Sequence, residues 1–385
     1  MTEATGRVPS GTSERAKRWA STMDGHRGPT AVRRAHLDGP VRVAAVPTFD
    51  RAAREELEDA VLAPGATRAE GAGRRARREE ADPHRTCFER DRDRILHSTA
   101  FRRLAGKTQV FIFPDDHQRT RLTHALEVAQ VATAIARACR LNVALTEAIA
   151  LGHDCGHGPG GHASEDALRG FLDGGFDHAV WGADVVLEPL NLCQETLDGI
   201  RNHSWSRPAP ATAEGEVVSW ADRIAYVCHD FEDAVEAGIA TPDMLPRPVA
   251  ERCGRRRGEQ LGAFVDAVVG AVATTGEVGM EPDAADALAA FRRFNYDHVY
   301  LRPASMAQAE LVVDMLRALV EHYADRPNLV PAAAEAGGLR AGGPQALRAA
   351  VTYVAGMTDR FACQQAVMHL GWPPARLPGG VDVAR

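Results

Sequence analysis

The feature that most constrains the fold is the apolar periodicity between Leu122 and Leu151. Leu122, Leu126, Ala129 and Ala132 recur at steps of three and four, while Val128, Val131 and Ile135 fill a second face. Side chains on one face of a helix repeat every 3.6 residues, so a segment apolar on several sides predicts a helix enclosed by other elements. Residues 142–151 continue the pattern up to Gly152. Residues 217–237, 258–273, 283–302, 305–324 and 345–370 read as further helices, with 334–344 as a loop. The alternation that marks a half-buried strand is missing apart from a short ribbon at 108–113, and no internal repeat is present. The expected fold class is all-α.

Of the 385 residues, 45% are hydrophobic and 25% charged, which excludes a wholly disordered chain and leaves enough apolar side chains for a core. The net charge of −7 excludes a globally basic nucleic-acid binder. The opening residues lack an apolar signal core, and no later stretch offers about 18 uncharged apolar residues, so neither export nor a membrane span is expected. Cys87, Cys139, Cys155, Cys193, Cys228, Cys253 and Cys363 are odd in number and dispersed, without a CxxC pair. That pattern suits reduced thiols in the cytoplasm, not a disulfide framework or a zinc ribbon.

Residues 1–85 differ from the rest. They are rich in Arg, Gly, Ala and Pro and carry about +3, against about −10 for the remainder. We expect a largely flexible arm with one short helix near 50–62, N-capped by Asp50 and stopped by Pro64. The basic run Arg74–Arg78 reads as a solvated tail, with weak contact to nucleic acid or to a neighbouring subunit as the alternatives. Beyond it, residues 86–240 are expected to form a functional core and 241–385 a C-terminal helical region.

Nine of the fifteen histidines lie between His97 and His229, several in segments too apolar for a surface. The sharpest segment is LGHDCGHGPGGH at 151–162. His153 and Asp154 end a buried helix, and the glycine-rich loop after them can turn His157 and His162 back towards the same point. His124 sits upstream on the apolar helix. Downstream, Asp222, Tyr226, His229, Asp230 and Asp233 share one face of a largely apolar helix, where carboxylates are costly unless they meet a cation or good donors. Imidazole with carboxylate suits a divalent first-row metal.

Here a resemblance becomes specific. His124, His153, Asp154 and Asp222 reproduce the H…HD…D pattern of the HD-domain metal-dependent phosphohydrolases. RDRILHSTAFRRLAGKTQVF (92–111), RTRLTHALEVAQ (119–130), HDCGHGPGGHASEDAL (153–168) and ADRIAY…HD (221–230) resemble the dGTPase-like deoxynucleoside triphosphate triphosphohydrolases. NYDHVYLRP (295–303) and AGMTDRFA (355–362) look like later segments of the same family, so the likeness spans about 86–365 in order.

The resemblance implies an HD-domain helical fold with extra C-terminal helices, and cleavage of a dNTP to deoxynucleoside and inorganic triphosphate by water attack at the α-phosphorus. It implies that His124, His153, Asp154 and Asp222 hold the metal, manganese or magnesium first, with iron, cobalt, zinc or nickel compatible. His162 and Glu165 match the family's catalytic pair, the carboxylate orienting the imidazole. His157, His178 and Arg121 match phosphate contacts, Gln109 a sugar contact, and Tyr226 with Asp230 contacts to the 3′-hydroxyl and ring of the sugar. A homo-oligomer, with a hexamer as one size, and a nucleotide activator are also implied. Two departures stand out: Gly160 replaces an aromatic residue and should loosen its turn, and Arg223 follows the metal aspartate where an acidic or small residue is usual. Two other readings keep the same residues: a phosphodiesterase or nuclease acting on another phosphoester, and a non-catalytic nucleotide sensor.

Overall fold

The computed structural model describes residues 12–28, 31–36, 38–39, 43–114 and 117–379. The chain divides into two units, residues 1–48 and 49–385. In the first, α1 (Glu14–Ser21) is N-capped by Ser13, and His26–Arg27 pairs antiparallel with Arg33–Arg34. These are the only strands among the described residues. The second unit is all helical: α2 (Arg51–Val61), α3 (Cys87–His97), α4 (Thr99–Arg103), α5 (Arg121–Ala138), α6 (Val143–Gly152), α7 (Ala163–Leu168), α8 (His178–Trp181), α9 (Gln194–Asn202), α10 (Ala213–Glu236), α11 (Arg247–Cys253), α12 (Arg257–Thr275), α13 (Pro282–Asn295), α14 (Pro303–Asp325), α15 (Pro331–Ala336), α16 (Pro344–Ala355) and α17 (Asp359–Leu370). No helix among the described residues is long and apolar enough to cross a membrane.

The helix starts follow local side-chain chemistry. The Asp50 carboxylate accepts the Ala53 N–H, Asn142 caps α6 through the Leu145 N–H, and Thr120 and Thr123 form a reciprocal capping box at α5. Two apolar cores follow from the helix faces. The larger joins α3, α5, α6, α10, α12 and α13 around Ile135, Leu145, Ile149 and Phe264, all fully buried. Each such side chain contributes roughly 1.5–3 kcal/mol by leaving water. The smaller joins α7, α14, α16 and α17 around Leu316, Leu319 and Val351. Cys155 belongs to the first core and Ala163 to the second, so the glycine-rich loop between them runs along the seam.

Three expectations need correction. Residues 49–85 are packed into the helical unit, not a flexible arm. Ala66 and Ala69 are buried, and the buried Glu214 carboxylate accepts the Thr67 N–H and hydroxyl and the Asn142 N–H at 2.8–3.0 Å. Within the basic run, Arg74 pairs with Glu195, Arg75 with the buried Asp91, and Arg77 with Glu188. Charges that read as a solvated tail are satisfied by carboxylates more than ten residues away, so composition alone could not place them. The helix expected at 345–370 is two helices, broken at Gly356–Thr358, with Thr358 capping α17. The ribbon at 108–113 reduces to a single bridge between Thr108 and Thr120. Leu126 on α5 is exposed, so that helix keeps one open face.

Candidate metal centre

His124 projects from the first turn of α5, His153 and Asp154 from the end of α6, and Asp222 from the middle of α10. His124 Nε2 lies 3.0 Å from Asp222 Oδ1 and 3.9 Å from Asp154 Oδ2. His153 Nε2 lies 3.5 Å from Asp154 Oδ1 and 3.7 Å from Asp222 Oδ1. Ligand atoms of one ion with bonds of about 2.1 Å stand at comparable separations. The four residues predicted as ligands therefore converge, although Asp222 is partly exposed where the other three are buried.

The donor set fits a cation. Ala150 O accepts from His153 Nδ1 at 2.6 Å, which leaves the buried Nε2 as a lone pair with no donor. A hydrogen bond on the far ring nitrogen is the usual way a protein orients an imidazole towards a metal. Burial, which raises a carboxyl, is outweighed at Asp154 by Arg121, His153 and His157, and its pKa falls well below the usual range. At Asp222 the same burial is outweighed by His124 and His153. Both carboxylates are thus ionised, as metal binding requires. The His124 imidazole is disfavoured as a cation by burial, but its bond to Asp222 raises its pKa overall.

His203, at the end of α9, is one of the nine histidines between His97 and His229 and joins the cluster. Ile200 O accepts from its Nδ1 at 2.8 Å, and with His153 and Asp222 it forms a second group able to hold an ion. Burial pushes its pKa down to about 3, so the ring is neutral. Nothing in its sequence spacing marks it, because α9 reaches the cluster only through tertiary packing.

The phosphate-contact candidates surround this group. His157 Nε2 lies 3.2 Å from Asp154 Oδ1, and its ring stacks on His178 at 3.7 Å between centroids. Arg121 is almost fully buried and donates from Nη1 to Asp154 Oδ2 at 2.7 Å, while its Nε and Nη2 have no partner. Gln109 has a buried, unpartnered Oε1. The stripe on α10 divides. Asp222 faces the histidines, Asp230 accepts the Tyr300 hydroxyl at 2.5 Å, His229 lies 3.1 Å from Glu127, and Asp233 pairs with Arg119. Tyr226 Oη accepts from Arg292 Nε at 2.8 Å.

The predicted pairing of His162 with Glu165 is not the one formed. Glu165 accepts from His178, through the backbone N–H at 3.1 Å and through ring Nδ1. His162 keeps exposed surface, its ring 5.0 Å from His157 and 5.9 Å from His178. Although the residue keeps exposed surface, its ring lies among the other side chains of the cluster, and that burial, then Arg121 and His178, hold its pKa down to about 4. The turn at Gly160 is also tighter than expected. Gly160 and Gly161 adopt φ of 71° and 62°, the Gly160 N–H is bonded to Asp359, and Val312 occupies the space beside it. Arg223 lies over the Trp205 ring, 3.3 Å from its centroid, in place of a carboxylate contact.

An HD domain is matched over residues 121–227 and a phosphohydrolase-associated domain over 278–367, so the fold and the buried His/Asp cluster define an HD-domain phosphohydrolase. A deoxyguanosinetriphosphate triphosphohydrolase-like protein of Caldanaerobacter subterraneus subsp. tengcongensis is 43% identical over 80% of this chain and 92% of its own. Proteins of the same description from Clostridium perfringens and Desulfatibacillum aliphaticivorans are 42% and 38% identical, over 76% and 80% of this chain and 89% and 94% of theirs. The chain belongs to the deoxyguanosinetriphosphate triphosphohydrolase-like family.

Proposed function

We propose that the protein is a metal-dependent dNTP triphosphohydrolase that releases deoxynucleoside and inorganic triphosphate. The observation that carries this reading is Arg121. A buried guanidinium with two unpartnered nitrogens, Nε and Nη2, next to a metal-competent His/Asp cluster, asks for an anion with several oxygens. A triphosphate supplies them.

His124, His153, Asp154 and Asp222 would hold a divalent ion, manganese or magnesium, with His203 beside them. Such an ion lowers the pKa of bound water and offsets charge on the phosphate. Arg121 and His157 bind phosphate oxygens and stabilise the charge that grows there in the transition state. Water forms its bond to the α-phosphorus, and the bond from that phosphorus to the 5′-oxygen breaks. His178 accepts the water proton at Nε2, and Glu165 stabilises the resulting imidazolium. His162, beside the His157 and His178 rings, hands a proton to the departing 5′-oxygen. Burial, then Arg121 and His178, hold the His162 pKa at about 4 in the free protein, and the negative charge of the incoming triphosphate raises it. Gln109, Tyr226 and Asp230 meet the sugar.

The test is turnover of each of the four dNTPs with Mn2+ or Mg2+, with chromatographic separation of products and Asp154→Ala as control. Deoxynucleoside and triphosphate, lost in the variant, are expected. No turnover of any dNTP, singly or in mixtures, refutes the reading.

A further inference from the structure

The turn between α16 and α17 carries a buried carboxylate that none of these roles uses. Asp359 opens α17. Its Oδ2 accepts the Thr108 hydroxyl at 2.6 Å, and its Oδ1 accepts the Gly160 N–H at 2.8 Å. Thr108 immediately precedes Gln109, and Gly160 lies two residues before His162. A second tie runs beside the first. Lys107 Nζ donates to His157 O and, at 3.1 Å, to Ala355 O at the end of α16. Two segments distant in sequence, 107–109 and 157–162, are therefore fastened to one short turn, 355–359.

Neither segment has regular structure to hold it. Residues 107–109 share a single bridge with Thr120, and the loop at Gly160 and Gly161 runs through left-handed backbone, whose conformational freedom must be removed by outside contacts. A carboxylate has two acceptors in a fixed fork, so it can bond both segments at once. We infer that Asp359 is a positioning residue, setting the distance between the segment that bears Gln109 and the loop that bears His162 so that both meet one substrate. This rests on the roles proposed above for those two residues.

Side-chain chemistry ranks the variants. Asp359→Ala loses both bonds and Thr108→Val loses one. Thr108→Ser keeps both, and so does Asp359→Asn, because the Thr108 hydroxyl can turn to accept from the amide. The full-length protein is assayed for dNTP turnover with Mn2+ well below each variant's melting temperature. Mn2+ affinity is read by electron paramagnetic resonance, and amide hydrogen exchange is followed in parallel. Displacement of a reacting group by an ångström can cost about 100-fold, so kcat is expected to fall about 100-fold in Asp359→Ala and about tenfold in Thr108→Val, with Thr108→Ser and Asp359→Asn within about threefold of wild type. Mn2+ affinity should stay unchanged in all four. Exchange in Asp359→Ala should quicken in peptides covering 107–110 and 157–162 and nowhere else.

Wild-type kcat in Asp359→Ala, or exchange that quickens evenly along the chain, overturns the inference and leaves Asp359 a stabilising residue only. If Asp359→Ala does not fold, Thr108→Val and its rescue by Thr108→Ser decide the matter. If the wild type itself turns over no dNTP, the proposed function fails separately, and the exchange pattern still tests the clamp.

Discussion

Glu165 grips His178 twice, accepting from its backbone N–H at 3.1 Å and from its ring Nδ1. A carboxylate can only accept, so Nδ1 carries a proton, while Nε2 lies 4.0 Å from Asp154 Oδ1 and 3.3 Å from His203 Nε2. Burial favours the neutral Glu165 carboxyl, but the bond to His178 and the proximity of His162 outweigh it and hold the pKa at about 2. Glu165 is ionised throughout the neutral range and able to stabilise a protonated His178.

The pair should therefore act as a unit. Glu165→Gln and His178→Ala are each expected to lower kcat by about 100-fold or more, the usual scale for a positioned acid or base. The double variant should be hardly slower than either single one. A double-mutant cycle in kcat checks this, and independent, multiplying losses would show that the two residues act separately.

Arg121 is expected to serve the substrate more than the metal. Its removal takes charge-assisted bonds from phosphate, so Arg121→Ala should raise KM for a dNTP by about 10- to 100-fold. The same change takes a cation away from Asp154, so Mn2+ affinity measured calorimetrically without nucleotide should hold or improve. Weaker Mn2+ binding would show instead that Arg121 orients the Asp154 carboxylate.

Metal removal should be visible in stability as well as activity. Binding to the folded state alone stabilises by about 2.7 kcal/mol when the free ion is at 100 times its Kd. Adding Mn2+ to chelator-treated protein should raise the melting temperature, an effect lost in His153→Ala and reduced in His203→Ala. An unchanged response in His203→Ala would place that residue outside the metal's ligands.

Asp230 predicts a pH dependence with a definite sign. Burial pushes its pKa up to about 7, against the hydrogen bond from Tyr300. A raised carboxyl pKa means that the folded chain holds a proton the unfolded chain has lost. Its stabilising contribution is therefore complete below about pH 4 and lost as the pH climbs through about 7. For metal-free protein, the melting temperature of Asp230→Asn relative to wild type should rise across that window and level off above it. A difference independent of pH would contradict the assignment.

The parts of this molecule that were legible in the sequence are those written locally. Helix periodicity and the Asp50 cap mark the elements, and His153–Asp154 with its glycine-rich loop marks the centre. Contacts made only by tertiary packing were not legible. His203 arrives on α9, whose sequence carries no sign of its destination. Glu165 lies three residues from His162 yet finds its partner thirteen residues away, because Asp177 caps α8 and brings the His178 amide and ring to face it. The break at Gly356–Thr358 was hidden by helix-forming residues on both sides, and with it the contact of Asp359 with Gly160. Residues 49–85 resembled a tail because their arginines and glutamates are indistinguishable, by composition, from solvated charges.

The most direct test of the central claim is the fate of the water oxygen. Each dNTP is incubated with the metal-loaded protein in isotopically heavy water, and the products are separated and weighed by mass spectrometry. Attack at the α-phosphorus requires unlabelled deoxynucleoside and a triphosphate that carries one heavy oxygen. Label in the deoxynucleoside, or release of a nucleoside monophosphate with pyrophosphate, would contradict it.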